Sequence, residues 1–279
     1  MTKIINGKLL ADEKLSIISQ QIKKLDKAPC LAIILIGENP ASSIYVRNKI
    51  KTAEEVGIDI NLIKLSEAIS QAELLEIIKN CNEDEKINGI IIQLPLPGHI
   101  NNLDVLLAID PKKDVDGFHP LNIGMLYSGQ EPFFIPCTPL GVLDIIKDNF
   151  DKLEGLHAVI IGRSNIVGRP LASLLLKNDL TVTICHSKTK NLVEITKMAD
   201  IIISATGQIY SLGKEYFSPS SVVIDVGINR TKEGKTAGDI KFSEISDFVK
   251  AVTPVPGGVG PLTVANLMAN TLKALKSHS

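Results

Sequence analysis

The sequence predicts an α/β protein of two domains, each built on a parallel sheet with crossover helices. Short β-branched runs alternate with helical patterns along the whole chain, which is typical of βαβ units. The length of 279 residues fits two domains of about 150 residues each. Hydrophobic residues make up 44% of the chain and aromatic residues only 4%, so we expect aliphatic side chains to fill both cores.

Charge and hydropathy exclude several classes of partner. The 30 basic and 31 acidic side chains leave a net charge of -1, which gives no electrostatic basis for binding nucleic acid or an anionic membrane. The longest apolar runs, such as residues 30–36, have strand length and fall far short of the roughly 20 residues of a membrane-spanning helix. The N-terminus lacks the features of a signal peptide, so a cytoplasmic location is expected.

The four cysteines are Cys30, Cys81, Cys137 and Cys185. They lie far apart and form no Cys-x-x-Cys pair, which is the spacing that a metal site or a disulfide framework would favour. We therefore expect reduced, mostly buried thiols and no bound metal.

The first half of the chain has the pattern strand, helix, strand, helix, strand. Strands are expected near residues 31–37, 59–65 and 89–93, and helices near residues 41–56 and 71–80. Residues 114–139 are rich in Gly, Pro and Asn. We interpret that segment as the linker between the domains and the floor of a cleft between them.

The second half opens with a helix at Thr138 and Pro139, interpreted as an N-cap followed by proline at the first helical position. Pro261 opens the last helix in the same way, and that helix is expected to reach about Lys276. Five strands are expected between the two helices, near residues 157–162, 181–185, 201–204, 222–226 and 251–253. The predicted domains are residues 1–120 and 121–260, with a C-terminal helix over residues 261–279 that packs back on the first domain.

The strand near residue 157 runs into a glycine-bearing turn and then a helix. Such a turn holds the pyrophosphate of a dinucleotide through backbone N–H groups and the helix dipole. The usual spacing is G-x-G-x-x-G, whereas here Gly162, Ser164 and Gly168 form G-x-S-x-x-x-G. Because Ser164 limits the approach of the backbone, the phosphates are expected to lie differently or to be bound partly by side chains. On its own the motif fits a plain tight turn equally well.

The end of the second strand in this half distinguishes between cofactors. An NAD site usually has an acidic residue there, which binds the ribose 2′-hydroxyl. Residues 186–190 contain no carboxylate, which favours the 2′-phosphate of NADP with Arg163 and Ser187 as its partners. A solvated loop is the alternative interpretation. Residues 205–207, 225–230 and 253–261 follow further strands and are expected at the same rim.

In the first half, Tyr45 and Lys49 are spaced i, i+4 and share one face of a helix. A cleft that excludes water, with Arg47 and Lys51 nearby, would lower the pKa of Lys49 and suit it to act as a general base or proton shuttle. The alternative is a packed tyrosine beside a solvated lysine.

Two polar groups follow the third strand. Gln93 stands where a parallel strand presents side chains to a ligand. Asp114 and Asp116 flank Val115 on a loop, where they could bind a metal, cap a helix or accept hydrogen bonds from an organic substrate. The last option is favoured because no third ligand is near in sequence.

Five segments together resemble the motifs of one enzyme family. They are residues 39–42 with Tyr45 and Lys49, residues 93–97, residues 113–117, residues 162–168 and residues 254–261. Their order, from about residue 37 to residue 264, is similar to that of the bifunctional methylenetetrahydrofolate dehydrogenase/methenyltetrahydrofolate cyclohydrolase family.

The resemblance implies a role for each residue singled out in the first half. Lys49 resembles the catalytic lysine of the family, and Gln93 resembles the residue that holds it and tunes its charge. Tyr45 resembles the tyrosine that stacks on the aminobenzoate ring of folate, and Asp116 resembles the aspartate that binds the pterin. These four are the expected catalytic residues.

In the second half the resemblance implies a Rossmann-like NADP-binding domain, with the folate in the cleft between the domains. The expected NADP contacts are Gly162, Arg163, Ser164, Ser187 and Ile228. Besides Tyr45 and Asp116, the expected substrate contacts are Pro256, Gly257 and Gly258. The family is typically homodimeric, so a homodimer is expected here.

The implied activity is NADP-dependent oxidation of methylenetetrahydrofolate to methenyltetrahydrofolate, followed by hydrolysis to formyltetrahydrofolate. These reactions belong to tetrahydrofolate interconversion and purine biosynthesis. The sequence has no G-x-x-x-x-G-K-[ST] phosphate loop and no space for a synthetase domain, so two activities are expected and not three. Two alternatives stay open: an NADP-dependent dehydrogenase of another small substrate, similar to shikimate or amino-acid dehydrogenases, and a non-catalytic nucleotide-binding module.

Overall fold

A computed structural model describes residues 1–231 and 233–278, except the side chains of Pro40, Ala41 and His278. The chain forms two compact units. The large-sheet unit comprises Met1–Ala11 and Pro136–Thr263, and the small-sheet unit comprises Asp12–Ile135 and Val264–Ser279. Each is an α/β fold with a parallel sheet, which confirms the predicted fold class. The predicted limits at residues 120 and 260 and the return of the last helix stay predictions. Ser279, the expected end of that helix, lies outside the described residues.

The small-sheet unit contains three parallel strands in the order β3-β2-β4. They are β2 (Cys30–Ile36), β3 (Asp59–Leu65) and β4 (Gly89–Ile92). Strand β2 lies in the centre and is apolar throughout, as a strand covered on both faces must be. Its helices are α2 (Pro40–Val56), α3 (Gln71–Glu83), α4 (Asn102–Ala108) and α5 (Pro120–Tyr127). Helices α1 (Gly7–Ile22) and α10 (Val259–His278) contribute residues to both units.

Helix α5 shows that the interpretation of residues 114–139 as linker was wrong in part. Pro120 stands at the start of the helix, where its missing N–H costs nothing, and the His119 ring accepts the N–H of Leu121 at 3.0 Å. Asn270 of α10 donates its amide to the carbonyls of Val115 and Ile135, at 2.8 and 3.2 Å. Proline was taken as a sign of a loop, although it is also favoured at the first position of a helix.

The large-sheet unit contains a six-stranded parallel sheet in the order β1-β11-β8-β7-β5-β6. Its strands are β1 (Lys3–Ile4), β5 (His157–Ile161), β6 (Thr181–Cys185), β7 (Ile201–Ser204), β8 (Val222–Asp225) and β11 (Ala251–Val252). Its helices are α6 (Cys137–Asn149), α7 (Gly168–Leu176), α8 (Leu192–Lys197) and α9 (Phe242–Ile245), with a 3-10 turn at Lys214–Tyr216. A separate antiparallel pair joins β9 (Asn229–Arg230) to β10 (Thr236–Ala237).

The start of α6 corrects a second expectation. The helix begins at Cys137 with Pro136 in the N-cap position, so Thr138 is not the N-cap. The hydroxyl of Thr138 instead hydrogen-bonds the hydroxyl of Thr263 at 3.1 Å. The hydroxyl that the local sequence assigned to the helix cap is therefore bound by a residue distant in sequence.

Both cores are aliphatic, as the composition predicted. Isoleucine, leucine and valine account for most of the buried side chains, and Phe217 is the largest side chain that is fully buried. The four cysteines are free thiols, three of them buried. Within residues 1–231 and 233–278, no helix is long and apolar enough to cross a membrane.

The N-terminus of α3 gives a direct test of local helix specification. Ser70 and Glu73 form a capping box, in which the Ser70 hydroxyl accepts the Glu73 N–H at 3.2 Å and the Glu73 carboxylate accepts the Ser70 N–H at 3.0 Å. Ser70→Ala is expected to lower the free energy of unfolding by about 1 kcal/mol, measured by urea denaturation. Ser16→Ala, at an exposed position inside α1, removes no cap and is the control. Equal effects of the two substitutions would contradict the capping role.

Candidate active site

In the small-sheet unit, the structure brings Lys49 and Gln93 together. Lys49 is half-buried on α2 and donates from Nζ to Oε1 of Gln93, which directly follows β4, at 3.3 Å. The Gln93 Nε2 donates to the carbonyl of Leu94 at 2.9 Å, and the Gln93 main-chain N–H donates to Ile34 of β2 at 2.9 Å. The amide oxygen is thus oriented toward the lysine because the amide nitrogen has a partner of its own.

Tyr45 and Asp116 belong to the same unit as this pair. Tyr45 is half-buried on α2, one turn before Lys49. Asp114 forms a parallel bridge with Ile90 of β4, and Asp116 follows it by two residues, in a turn closed by the hydrogen bond from the Gly117 N–H to the Asp114 carbonyl at 3.0 Å. Asp116 is also half-buried and therefore accessible to a ligand.

The two residues before Val115 have structural roles. Asp114 is 1% exposed and accepts hydrogen bonds from the N–H groups of Phe118 and His119 and from the amide of Asn122. Burial raises the pKa of Asp114 to about 7. Of the two carboxylates singled out in the sequence, only Asp116 remains available to a substrate.

Lys113 is also buried, and its Nζ donates to three carbonyls at the end of α3, those of Cys81, Asn82 and Asp84, at 3.2, 2.7 and 2.9 Å. Burial lowers the pKa of this amine. Lys113 thus joins the loop to α3, a partner that the sequence did not indicate.

In the large-sheet unit, four strands end level with one another. Ile161 of β5 pairs with Cys185 of β6 and with Ser204 of β7, and Ser204 pairs with Asp225 of β8. The residues that follow these positions therefore emerge at one edge of the sheet. All five expected NADP contacts come within three residues of a strand end at this edge. Chain order reverses at β5, and ligands of open α/β sheets bind at such a point.

The turn after β5 is as tight as the glycines predicted. Gly162 has a φ of +138°, and a Cβ there would overlap the carbonyl oxygen of Ala205. A Cβ on Gly168 would overlap the carbonyl oxygen of Gly162. The strand, turn and helix therefore approach one another as a dinucleotide-binding turn requires, and the residues present fit such a cofactor.

Ser164 occupies part of the helix N-terminus itself. Its hydroxyl accepts the N–H groups of Val167 and Gly168 at 3.2 and 3.4 Å, and its carbonyl accepts the N–H of Arg169 at 3.1 Å. These donors are engaged, and the expected contribution of side chains to phosphate binding stays a prediction. Arg163 and Ser187 are both exposed, each two residues after a paired strand end.

The remaining predicted residues also belong to the large-sheet unit. Ile228 is 49% exposed, three residues after β8. Pro256 is exposed, and Gly257 has a φ of +105° and accepts the N–H of Lys8 at 3.0 Å. Gly258 is buried against Gly7, where a Cβ on Gly7 would overlap its carbonyl oxygen.

Sequence reasoning missed Asp239. This residue is fully buried and accepts hydrogen bonds from Ser204, Thr206, Gly207 and Asn229, which all lie at or after the ends of β7 and β8. The signal in the sequence that could have identified it is an Asp and a Gly on each side of the β9-β10 hairpin. These are Asp225 and Gly227 before the hairpin and Gly238 and Asp239 after it.

Comparison with known proteins identifies the family. A model of the tetrahydrofolate dehydrogenase/cyclohydrolase catalytic domain matches residues 5–116, and a model of the NAD(P)-binding domain of the same family matches residues 136–279. The chain belongs to the tetrahydrofolate dehydrogenase/cyclohydrolase family. This confirms the resemblance drawn from the five motifs.

Individual relatives agree with that assignment. The chain is 50% identical over 278 residues to the bifunctional protein FolD of Streptococcus agalactiae, with 98% of both chains covered. The crystal structure of FolD from Campylobacter jejuni has a TM-score of 0.96 and 46% identity over 100% of both chains. The Trypanosoma brucei enzyme, solved with NADP cofactor and an inhibitor, has a TM-score of 0.94 and 32% identity, covering 99% of this chain and 98% of that one.

The alternative of a shikimate-type dehydrogenase shares only the fold. The shikimate dehydrogenase of Thermus thermophilus, solved with NADP(H) and shikimate, has a TM-score of 0.53 and 15% identity. That likeness reflects a common α/β plan and carries no information about the substrate.

The placement of Arg163 predicts its effect on cofactor choice. Arg163→Ala is expected to raise the KM for NADP by about 10-fold or more and to change the KM for NAD much less, because a charge-assisted contact to the 2′-phosphate is lost. Arg169→Ala, an exposed arginine one residue into α7, is the matched control. Dehydrogenase kinetics with both cofactors measure the effect, and equal changes for NADP and NAD would place the 2′-phosphate elsewhere.

Proposed function

We propose that this chain performs two consecutive reactions on one-carbon units carried by tetrahydrofolate. It oxidises methylenetetrahydrofolate to methenyltetrahydrofolate with NADP, and it hydrolyses that product to formyltetrahydrofolate. The observation that carries the proposal is the 3.3 Å hydrogen bond between Lys49 Nζ and Gln93 Oε1, in the part of the chain that matches the family's catalytic domain.

The large-sheet unit supplies the cofactor site. When bound, NADP accepts the hydride that leaves the one-carbon bridge of the folate. Arg163 and Ser187 would hold the 2′-phosphate, because both are exposed at neighbouring strand ends and no carboxylate stands at residues 186–190. Gly162 and Gly168 keep the backbone of the turn close enough to approach the pyrophosphate.

Lys49 handles protons in the hydrolytic step. Water adds to the methenyl carbon, and a proton must leave that water while another reaches the departing ring nitrogen. Gln93 orients Nζ of Lys49 but carries no charge, so it fixes the position of the amine without holding it permanently as an ion pair. A neutral partner therefore suits a lysine that has to exchange a proton.

Tyr45 and Asp116 are proposed to bind the two ends of the folate. The ring of Tyr45, one helical turn before Lys49, offers a flat surface for the aminobenzoate, and the half-buried Asp116 offers acceptors for the N–H groups of the pterin. Pro256, Gly257 and Gly258 are proposed as further substrate contacts. Pro256 is exposed and Gly257 is half-buried, so this segment offers surface to a ligand.

We further propose a homodimer, a cytoplasmic location and a role in purine biosynthesis. The net charge of -1 is consistent with small anionic ligands bound by local groups and with no nucleic-acid partner.

Replacement of the lysine tests the proposed chemistry. Lys49→Met is expected to reduce cyclohydrolase activity by about 100-fold or more, because the proton-transfer group is removed. The decay of methenyltetrahydrofolate absorbance measures this rate. Lys51→Met is the matched control, since Lys51 is exposed on the same helix and pairs with Glu55 at 3.8 Å. A wild-type rate in Lys49→Met would overturn the assignment.

The neutral charge of Gln93 can be tested separately. In Gln93→Glu, a carboxylate beside the amine would favour the charged form of the lysine. The pH–rate profile of the cyclohydrolase is therefore expected to move to higher pH. An unchanged pH–rate profile with a lowered rate would mean that Gln93 only positions the lysine and that its lack of charge has no effect.

A further inference from the structure

The large-sheet unit contains two buried carboxylates that the proposed chemistry does not use. Asp225, at the end of β8, is 4% exposed, and Asp239, after β10, is 0% exposed. Asp225 accepts the N–H groups of Gly227, Asp239 and Ile240 at 2.8, 3.1 and 3.0 Å. The pKa of Asp225 is raised to about 6, chiefly by burial and to a smaller extent by the neighbouring Asp239.

Asp239 binds the ends of two strands. Its Oδ2 accepts the hydroxyl of Ser204 at 2.9 Å and the main-chain N–H groups of Thr206 and Gly207 at 2.7 and 3.3 Å. Its Oδ1 accepts the side-chain amide of Asn229 at 2.9 Å. One carboxylate therefore joins the loop after β7 to the segment after β8.

Two glycines make room for these carboxylates in a reciprocal way. A Cβ on Gly227 would overlap the carboxylate of Asp239, and a Cβ on Gly238 would overlap the carboxylate of Asp225. Gly227 lies two residues after Asp225 and makes room for Asp239. Gly238 directly precedes Asp239 and makes room for Asp225. The close approach is thus built into both segments.

Asp225 and Asp239 bind the two neighbours of an exposed residue, Ile228. Ile228 is 49% exposed, but both of its neighbours are fixed: the Gly227 N–H is bound to Asp225, and the Asn229 amide is bound to Asp239. Contacts to two buried carboxylates therefore flank Ile228, one through the Gly227 main chain and one through the Asn229 side chain. Ile228 is also one of the expected NADP contacts, and it stands at the same sheet edge as Gly207.

We propose that Asp239, acting with Asp225, is a positioning residue of the cofactor site: it sets the main-chain positions of residues 206–207 and 228 on which NADP binding depends, and it has no part in hydrolysis. This inference rests on the proposed function for its activity readouts. The dehydrogenase needs NADP, whereas the cyclohydrolase reaction consumes only the methenyl compound and water. The dehydrogenase activity therefore reports cofactor positioning, and the cyclohydrolase activity of the same protein reports whether the fold is intact.

Asp239→Asn is the most informative change, because it keeps the size of the side chain and removes acceptor capacity. An amide has one acceptor oxygen, and its NH₂ group would face a donor that Asp239 now satisfies. We expect the KM for NADP and the NADP dissociation constant from calorimetry to rise by about 10-fold, the loss of one charge-assisted hydrogen bond. The cyclohydrolase rate, assayed without NADP, is expected to stay near wild type. Asp247→Asn, an exposed acid of the same unit, is the control.

Asn229→Ala is the second variant and covers the case in which Asp239→Asn does not fold. It removes a single donor to Asp239 and is expected to raise the NADP KM by a smaller factor, with unchanged KM for the folate. An unchanged NADP dissociation constant in Asn229→Ala would overturn the inference, and so would an equal loss of both activities or no loss in Asp239→Asn. If wild-type protein bound NADP but lacked both activities, the proposed function would fail, and the dissociation constants would still decide the role of Asp239.

Discussion

The common register of parallel strands is the constraint on which both units depend. Parallel pairing sends every carboxyl end to the same edge, so residues far apart in sequence become neighbours there. In the large-sheet unit the paired positions Ile161, Cys185, Ser204 and Asp225 bring four loops to one edge. In the small-sheet unit the pairing of β2 with β4 places Gln93 where it meets Lys49, a residue on the helix that follows β2. In each unit, backbone pairing therefore determines which residues meet at the edge of the sheet.

Buried charges serve the same purpose in both units. Asp114, Lys113, Asp225 and Asp239 are almost fully buried, and main-chain groups supply most of their partners. A charge taken out of water is strongly destabilising unless it is hydrogen-bonded, so each of these residues holds the chain segments that satisfy it. The described part of the chain contains no buried side-chain nitrogen or oxygen without a partner. The loops that carry Ile228 and Asp116, two of the predicted site residues, are thus held by buried polar groups.

Ser164 and Gln93 show how a change of residue type changes the chemistry of a shared plan. A glycine at position 164 would leave the helix N–H groups free, whereas the Ser164 hydroxyl accepts those of Val167 and Gly168. A carboxylate at position 93 would hold Lys49 as an ion pair, whereas the amide only orients it. Both residues could be identified in the sequence, but their consequences required the hydrogen-bond partners.

The sequence by itself determined the α/β class, the strands of both sheets except the edge strand β1, the family and the identity of the residues expected at the site. Strands are apolar runs of β-branched residues and motifs are local, so periodicity and spacing carry that information. Only the tertiary structure decided that Thr138 pairs with Thr263 and does not cap α6, that α5 lies inside the supposed linker, and that Asp239 anchors two strand ends. Thr138 and Asp239 share one reason: a polar group takes the partner that the fold brings to it, and a partner more than 30 residues away, as Ser204 is from Asp239, leaves no periodic trace in the sequence. Helix α5 was missed for a local reason, because proline is found both in loops and at the first position of a helix.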